Sequence, residues 1–207
     1  MNEKILWYVA DPMCSWCWGF APVIEQVRNS YRDRAKVELL LGGLRPGTKH
    51  PLPAAQRQEI LGHWQAVHRA TGQVFQFAGA MPEGFIYDTE PASRAVIVVS
   101  MLSPEAVFIF FQAVQSAFYV EQRNVTNAQV LAELAGSVGL ETQQFLQAFE
   151  SDAARDITQG HFHRARHLRV HGFPTLVGQQ GAAYTQISSG YCPFEELNPK
   201  ISRWLES

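Results

Sequence analysis

The sequence predicts an α/β protein whose elements follow the order βαβ, then a large helical insertion, then ββα. Short apolar runs, which are typical of buried strands, lie near both ends of the chain. An amphipathic helix pattern directly follows the first of these runs. Between about Pro51 and Arg169 the pattern is helical instead, with recognisable helix starts.

The first strand is predicted at Ile5–Ala10, because this short apolar run combines β-branched and aromatic residues. Asp11-Pro12 ends it. From about Ser15, apolar residues recur at spacings of three and four, which predicts a helix with one apolar face. The residues of that face are Phe20, Val23, Ile24, Val27 and Tyr31. A second buried strand follows at Val37–Leu41, and the short return predicts a right-handed crossover with parallel pairing.

Helix starts are recognisable inside the insertion. Ser103-Pro104 offers an N-cap followed by a proline at the first helical position. Thr126–Gln129 has the spacing of a capping box. Asp88-Thr89 and Glu141-Thr142 are expected to open two further helices.

The strand pattern returns near the C-terminus. Thr175–Val177 and Tyr184–Ile187 flank Gly178–Gly181, which predicts a hairpin. Pro193 opens a final helix, and Pro199 is expected to kink or split it. The apolar side of this helix carries Phe194, Leu197, Ile201, Trp204 and Leu205.

Charge and hydropathy limit the classes of function. The 207 residues carry a formal net charge of −2, so no basic field attracts nucleic acid or anionic lipid. The first apolar run is too short for a signal-peptide core, and no other stretch reaches transmembrane length. We therefore expect a cytoplasmic protein that binds neither nucleic acid nor a membrane. In that compartment three cysteines are more often catalytic, metal-binding or inert than structural.

The reactive chemistry is predicted at Asp11–Trp18, where two residues separate Cys14 from Cys17 at the first turn of the predicted helix. Two such cysteines have Cβ atoms about 5–6 Å apart on one helix face, within reach of a disulfide after a small adjustment. Backbone N–H groups and the helix dipole favour a thiolate at a helix start. The pattern predicts that Cys14 is the nucleophile and Cys17, one turn deeper, the resolving thiol.

Other interpretations fit the same spacing. A structural disulfide across so short a loop would contribute only about 2 kcal/mol. A zinc site would need more ligands, and Cys192 stands alone as an expected free thiol. Within the basic run His161–His167, His163 and His167 have metal-ligand spacing, although a solvated helix face has the same pattern. Two inert buried thiols are the third interpretation. The position directly after a buried strand, opening an amphipathic helix, favours the redox pair with no metal.

Two motifs resemble the thioredoxin superfamily. The pair Cys14 and Cys17 after a strand, with Pro22 five residues on, is similar to the thioredoxin active-site helix. Gly172–Thr175 resembles the loop in which these proteins hold a cis-proline that faces the dithiol. The helical insertion resembles the DsbA-like branch, and the start Asp-Pro-x-Cys-x-Trp-Cys-Trp is similar to its FrnE-like members, described as predicted protein-disulfide isomerases. The resemblance implies a thioredoxin-like fold with thiol–disulfide oxidoreductase activity.

The resemblance also implies a division of the chain and a substrate site. Residues 1–48 and 170–207 would form the thioredoxin-like domain, and 49–169 the helical insertion lobe. The Phe173–Pro174 bond would be cis and lie close to Cys14. Substrate-binding residues are then expected at Ser15, Trp16, Phe173, Pro174 and Thr175. Trp16 and Phe173 would either form an apolar collar for substrate chains or pack in the ordinary way.

The chain departs from the family pattern at several positions. Ser15-Trp16 stands between the cysteines where DsbA has Pro-His. Thioredoxins carry a buried carboxylate six positions before the first cysteine, and this chain has Tyr8 there. Asp11 is the nearest acid, and its position before a proline favours a turn-forming role. These departures leave both directions of the redox reaction open.

We therefore expect a thiol–disulfide oxidoreductase that acts on protein or small-molecule thiols and disulfides. No bound cofactor is required, and glutathione is the candidate electron partner. One alternative is a glutathione-dependent isomerase or transferase of the kappa class, whose relatives use a single Ser or Cys, so the retention of Cys14 and Cys17 argues against it. The other alternative is a non-catalytic peptide-binding or chaperone module.

Overall fold

A four-stranded sheet organises the protein, and its strands come from the two ends of the chain. The computed structural model describes residues 4–207. The strands lie in the order β2-β1-β3-β4. The parallel pair is β1 (Lys4–Ala10) with β2 (Lys36–Leu41), whereas β3 (Thr175–Gln180) is antiparallel to β1 and to β4 (Ala183–Ser189). The predicted strands and the parallel pairing are confirmed.

Helix α1 (Ser15–Tyr31) connects the two parallel strands and buries the predicted face. Its buried side includes Phe20, Val23, Ile24, Val27 and Tyr31. Pro22 lies inside the helix without ending it. Because α1 begins directly after the loop that leaves β1, its first turn lies at the end of a central strand of the sheet.

Further helices fill the chain between β2 and β3, as the α/β order with a helical insertion predicts. Their bounds are α2 (Ala54–Thr71), α3 (Glu90–Leu102), a 3₁₀ turn (Pro104–Ala106), α4 (Val107–Tyr119), α5 (Ala128–Ser137), α6 (Thr142–Phe149) and α7 (Asp152–His167). Helix α7 packs on α3 and also covers one face of the sheet, through Ala165 against Val9 and Leu40. The division into 1–48 with 170–207 and 49–169 stays a prediction.

The C-terminal helix α8 (Phe194–Glu206) shares the other face of the sheet with α1. A Cβ added at Gly178 would lie 2.2 Å from the Trp204 ring, so the missing side chain on β3 is what admits this indole. Pro199 lies inside α8 on its exposed side. The expectation that it splits the helix is wrong. On this exposed side, the carbonyl that loses its helical N–H partner can accept a hydrogen bond from water.

Helix starts were predicted more accurately than their caps. Glu141 caps α6, as expected, and its carboxylate accepts a hydrogen bond from Gln144 N. The cap of α5 is Asn127 rather than Thr126, with the Asn127 Oδ1 atom accepting from Gln129 N and Val130 N.

Two further local predictions need correction. The Ser103 hydroxyl donates to the Glu105 carboxylate and forms no cap, because a 3₁₀ turn precedes α4. The hairpin turn is also shorter than predicted. Gly178, Gln179 and Gln180 belong to β3, so only Gly181 and Ala182 separate the two strands.

Candidate active site

The two cysteines of the motif lie at the start of α1. Cys14 is the N-cap residue, with extended backbone dihedrals, and its carbonyl accepts the first helical hydrogen bond from Trp18 N at 3.1 Å. Cys17 lies one turn deeper. Both are free thiols; Cys14 is 6% exposed and Cys17 is fully buried. Cys14 is therefore the sulfur of the pair that lies nearer to solvent, as predicted.

The loop before β3 faces Cys14. The Phe173–Pro174 peptide bond is cis, as predicted. The Cys14 thiol donates to the Phe173 carbonyl at an Sγ–O distance of 3.6 Å. The Thr175 hydroxyl donates to Gly172 O at 2.8 Å and closes this turn. The fold thus brings together two motifs that are far apart in the sequence.

Gly42 determines how closely this loop can approach the end of β2. A Cβ built at Gly42 would lie only 2.0 Å from the Phe173 ring. Any side chain at position 42 would displace that ring. The glycine therefore permits the close approach of Phe173, whose carbonyl Cys14 contacts.

Several groups surround Cys17 in the interior. The Tyr8 hydroxyl lies 3.5 Å from the Cys17 carbonyl oxygen and interacts electrostatically with the Cys17 thiol. Burial raises the pKa of Cys17 well above its usual range, and the hydrogen bond and charge of Cys14 add to this effect. A backbone hydrogen bond from Asp11 acts in the opposite direction. A buried thiol with a raised pKa stays protonated at neutral pH unless its surroundings change.

Asp11 forms the turn between β1 and α1, as its position before a proline suggests. Its Oδ1 atom accepts from Met13 N at 2.8 Å, and its Oδ2 atom accepts from Leu44 N, in the loop after β2, at 2.7 Å. The carboxyl group is fully buried, and burial raises its pKa to about 6 although these hydrogen bonds and one from Thr89 oppose the shift. Asp11 therefore connects the dithiol loop to two other segments.

The helical insertion contributes two buried phenols that the sequence analysis missed. The Tyr87 hydroxyl donates to the Met13 carbonyl in the dithiol loop. Tyr119, at the end of α4, stacks on Trp18 with ring centroids 6.1 Å apart. Burial raises the pKa of both phenols, and both interact electrostatically with Cys14. Neither residue has a sequence spacing that relates it to the cysteines.

Partly buried aromatic side chains border the site. The Trp16 ring lies 5.9 Å from the ring of Tyr191, which also contacts Phe20. Tyr191 was not predicted, because it lies in the loop after β4 without a recognisable motif. Phe173 is likewise partly buried, and Ser15 is the first residue of α1. The roles of the five predicted substrate-binding residues stay predictions.

Among the described residues, no group of three or more His, Cys, Asp or Glu side chains could hold a metal ion. His163 and His167 are exposed on α7 and bond to Arg166 and to the backbone. His161 instead accepts from Leu41 N at 3.3 Å, and burial lowers its pKa to about 4. Within residues 4–207 no helix is both long and apolar enough to span a membrane.

Solved structures resemble this protein over nearly its whole length. A proposed protein disulfide isomerase from Nitrosomonas europaea is 46% identical, with a TM-score of 0.94 covering 99% of this chain and 98% of that one. The cytosolic disulfide reductase DsbM from Pseudomonas aeruginosa, in a structure with GSH, is 25% identical, with a TM-score of 0.79 covering 98% and 100%.

Curated sequences give a more distant match. The ClpXP adapter protein SpxH of Halalkalibacterium halodurans is 22% identical over 171 residues, which cover 81% of this chain. The matched region spans only 56% of the adapter's own length. The SpxH protein of Bacillus subtilis is also 22% identical, over 176 residues.

A family match agrees with the geometry of the sheet, the dithiol and the cis-proline loop. The DSBA-like thioredoxin domain matches residues 6–198, which is most of the chain. The expected resemblance and the thioredoxin-like α/β fold with helices inserted between its strands are thereby confirmed. The protein belongs to the family of DSBA-like thioredoxin domains, a membership that supports thiol–disulfide oxidoreductase chemistry.

Proposed function

We propose that this protein reacts with disulfides on protein or small-molecule substrates, with Cys14 as the attacking thiolate and Cys17 as the resolving thiol. The observation that carries the proposal is the position of Cys14: it starts α1, faces the Phe173 carbonyl at 3.6 Å, and has Cys17 one turn deeper. The likeness to a proposed disulfide isomerase at 46% identity supports the same chemistry.

The reaction has two steps. The Cys14 thiolate attacks one sulfur of a substrate disulfide, forming a mixed disulfide and releasing the other substrate sulfur as a thiolate, which takes a proton from water. Cys17 then loses its proton and attacks the Cys14 sulfur, which forms the Cys14–Cys17 disulfide and releases the second substrate thiol. The substrate is reduced by two electrons and the enzyme is oxidised by two. An isomerase would stop after the first step and let a substrate thiol attack the mixed disulfide.

We propose the reductive direction, with glutathione as the electron donor. The support is the likeness over 98% of this chain to DsbM, a cytosolic disulfide reductase with GSH in its structure. The same likeness supports a cytosolic location, where thiols are kept reduced. Two glutathione thiols would return the Cys14–Cys17 disulfide to the dithiol through a mixed disulfide at Cys14.

A redox titration tests this function. The protein is equilibrated with glutathione buffers of graded potential while free thiols and tryptophan emission are followed together. Trp16 and Trp18 flank Cys17, so the emission should change as the disulfide forms. A protein that forms no Cys14–Cys17 disulfide at any potential would contradict the proposal. The Cys192→Ser variant is the matched control, because it removes the remaining cysteine.

A second candidate function is adapter-like binding without turnover. It is supported by the match to SpxH, named as a ClpXP adapter, over 81% of this chain. The two functions are separated by a double variant, Cys14→Ser with Cys17→Ser. Reductase activity requires the thiols, so turnover of a model disulfide should disappear in the double variant. If wild type and double variant bind a protein partner equally and neither turns over disulfide, the adapter function is the better one.

A further inference from the structure

Cys17 is buried, yet disulfide exchange produces its thiolate in every cycle. When a reducing thiolate attacks the Cys14 sulfur, a bond forms between that sulfur and the reductant. The Cys14–Cys17 bond breaks, and its electron pair leaves on Cys17. A charge that develops in a fully buried position is unfavourable unless hydrogen-bond donors are directed at it. The surroundings of Cys17 therefore bear on the rate of this step.

Two donors meet at Cys17. One is the backbone N–H of Asp11, which hydrogen-bonds to the Cys17 side chain. The other is the hydroxyl of Tyr8, which lies 3.5 Å from the Cys17 carbonyl oxygen and interacts electrostatically with the Cys17 thiol. An O–H to O distance of 3.5 Å is too long for a strong hydrogen bond. The hydroxyl hydrogen is thus free to turn towards the sulfur.

Packing holds the Tyr8 ring in place independently of its hydroxyl. The ring centroid lies 5.7 Å from that of Phe20 on α1 and 6.1 Å from that of Phe111 on α4. On β1, Tyr8 lies between Leu39 of β2 and Leu176 of β3. These ring contacts hold the Tyr8 side chain beside Cys17, and a phenylalanine at position 8 would keep them.

We propose that the Tyr8 hydroxyl and the Asp11 amide form a two-donor site that stabilises the thiolate of Cys17 as the Cys14–Cys17 disulfide is reduced. This inference rests on the proposed function. A neutral donor stabilises a negative sulfur, whereas a carboxylate at position 8 would repel it. The hydrogen bond needs no further reactant, because the proton of Tyr8 stays on its oxygen while the sulfur carries the charge.

The ionisable groups that face Cys17 come from several elements. They are Cys14 on α1, Tyr8 on β1, the Asp11 carboxyl group in the following loop, and Tyr119 at the end of α4. The pKa of Cys17 is therefore measured in a Cys14→Ser background, where the other thiol is absent. Thiolate absorbance in the ultraviolet follows the titration.

The test replaces Tyr8 by phenylalanine. A hydrogen bond to a charged group is worth about a tenfold change in an equilibrium, so Tyr8→Phe should raise the pKa of Cys17 by about one. Reduction of the oxidised enzyme by glutathione should slow by about tenfold. Formation of the mixed disulfide at Cys14, measured in a Cys17→Ser background, should be unchanged.

Tyr31→Phe is the matched control. It removes a hydroxyl from the far end of α1, where the group contacts Ser202 Oγ at 3.0 Å and the Asn198 carbonyl at 3.1 Å. This variant should change neither the pKa of Cys17 nor the rate of reduction. If Tyr31→Phe slows reduction as much as Tyr8→Phe, the effect is a general loss of packing and the inference is wrong.

A second substitution keeps the test decisive if Tyr8→Phe does not fold. Site-specific replacement of Tyr8 by a fluorotyrosine makes the phenol a stronger donor, so the pKa of Cys17 should fall and reduction should accelerate. If neither substitution at position 8 changes the pKa of Cys17, the inference is wrong, while the exchange reaction is unaffected. A wild-type protein that never forms the Cys14–Cys17 disulfide would instead overturn the proposed function.

Discussion

The dithiol site and the surroundings of Cys192 look alike at the level of local structure. Cys14 is the N-cap of α1, and Cys192 directly precedes Pro193, the N-cap of α8. Their exposed fractions are 6% and 7%. The difference lies in their neighbours. Each thiol contacts a backbone carbonyl, at 3.6 Å for Cys14 and 3.7 Å for Cys192. Cys14 also has Cys17 in the next turn, whereas Cys192 Sγ lies 3.8 Å from Lys200 Nζ.

From this difference we expect that a helix start alone does not make a cysteine a redox centre. Burial raises the pKa of Cys192, the Glu196 carboxylate adds to this, and the ammonium group of Lys200 opposes it. A thiol in that setting has no thiol partner one turn away. What distinguishes the dithiol site is the second cysteine and the groups that surround it, and the following experiments test that distinction.

The largest effect is expected from Cys14→Ser, which should abolish disulfide exchange because it removes the thiol that contacts the loop of Phe173. Turnover of a model disulfide with glutathione as reductant measures this loss. Cys192→Ser should retain the activity of the wild type. If the two variants lose activity equally, the distinction between the two sites fails.

A second large effect is expected from Cys17→Ser. The mixed disulfide at Cys14 then lacks the thiol that resolves it, so covalent adducts with substrate or glutathione should accumulate. Mass spectrometry under non-reducing conditions detects them as one added group on the peptide that contains Cys14. Adducts on the peptide of Cys192 would mean that the reactive cysteine was assigned wrongly.

A smaller effect concerns stability. The carboxyl group of Asp11 has a pKa of about 6 in the folded protein, above the value of about 3.9 for an unfolded chain. The folded state therefore binds this proton more tightly, and its stabilising effect is present below pH 4 and lost as pH rises through about 6. The expected loss is about 3 kcal/mol in the free energy of unfolding.

Comparison with Asp11→Asn isolates this contribution. His161, with its pKa lowered to about 4, gives the opposite pH dependence in both proteins, so it cancels in the difference. Urea unfolding between pH 4 and 7 should give a difference between wild type and variant that grows in favour of the variant as pH rises. A difference that is constant over this range would contradict the role assigned to burial.

The smallest effect is the order of alkylation in the reduced protein. Near pH 7 a limiting amount of iodoacetamide should label Cys14 several-fold faster than Cys17 or Cys192. Cys17 is fully buried, and burial raises the pKa of both Cys17 and Cys192, which lowers their thiolate fractions. Peptide mapping at early times gives the order, and faster labelling of Cys192 would reverse the comparison.

Local patterns were enough to predict the order of the elements and both motifs of the site. The apolar runs and the CxxC spacing depend on neighbours in the sequence, and so does the Gly-Phe-Pro-Thr segment that holds the cis bond. The caps were harder to predict, because Thr126 and Asn127 are both suitable cap residues and only the backbone selects Asn127.

The interior of the site could not be predicted in this way. Asp11 bonds to Leu44 and Thr89, and Tyr87 donates to Met13, across gaps in the sequence that no periodic pattern encodes. Tyr8 was notable only because thioredoxins have an acid at its position. Its position beside Cys17 depends on the packing of α1 against β1. These contacts arise from tertiary packing rather than from local preference.

The path of the chain has a consequence for how the protein is made. Cys14 and Phe173 are 159 residues apart, with the entire helical insertion between them. A ribosome delivers both thiols, together with α1 and β2, long before the loop that faces Cys14 has been synthesised. Contacts between distant parts of a chain also form slowly. The nascent protein therefore presents its two thiols to any oxidant or neighbouring nascent chain before the loop that contacts Cys14 exists.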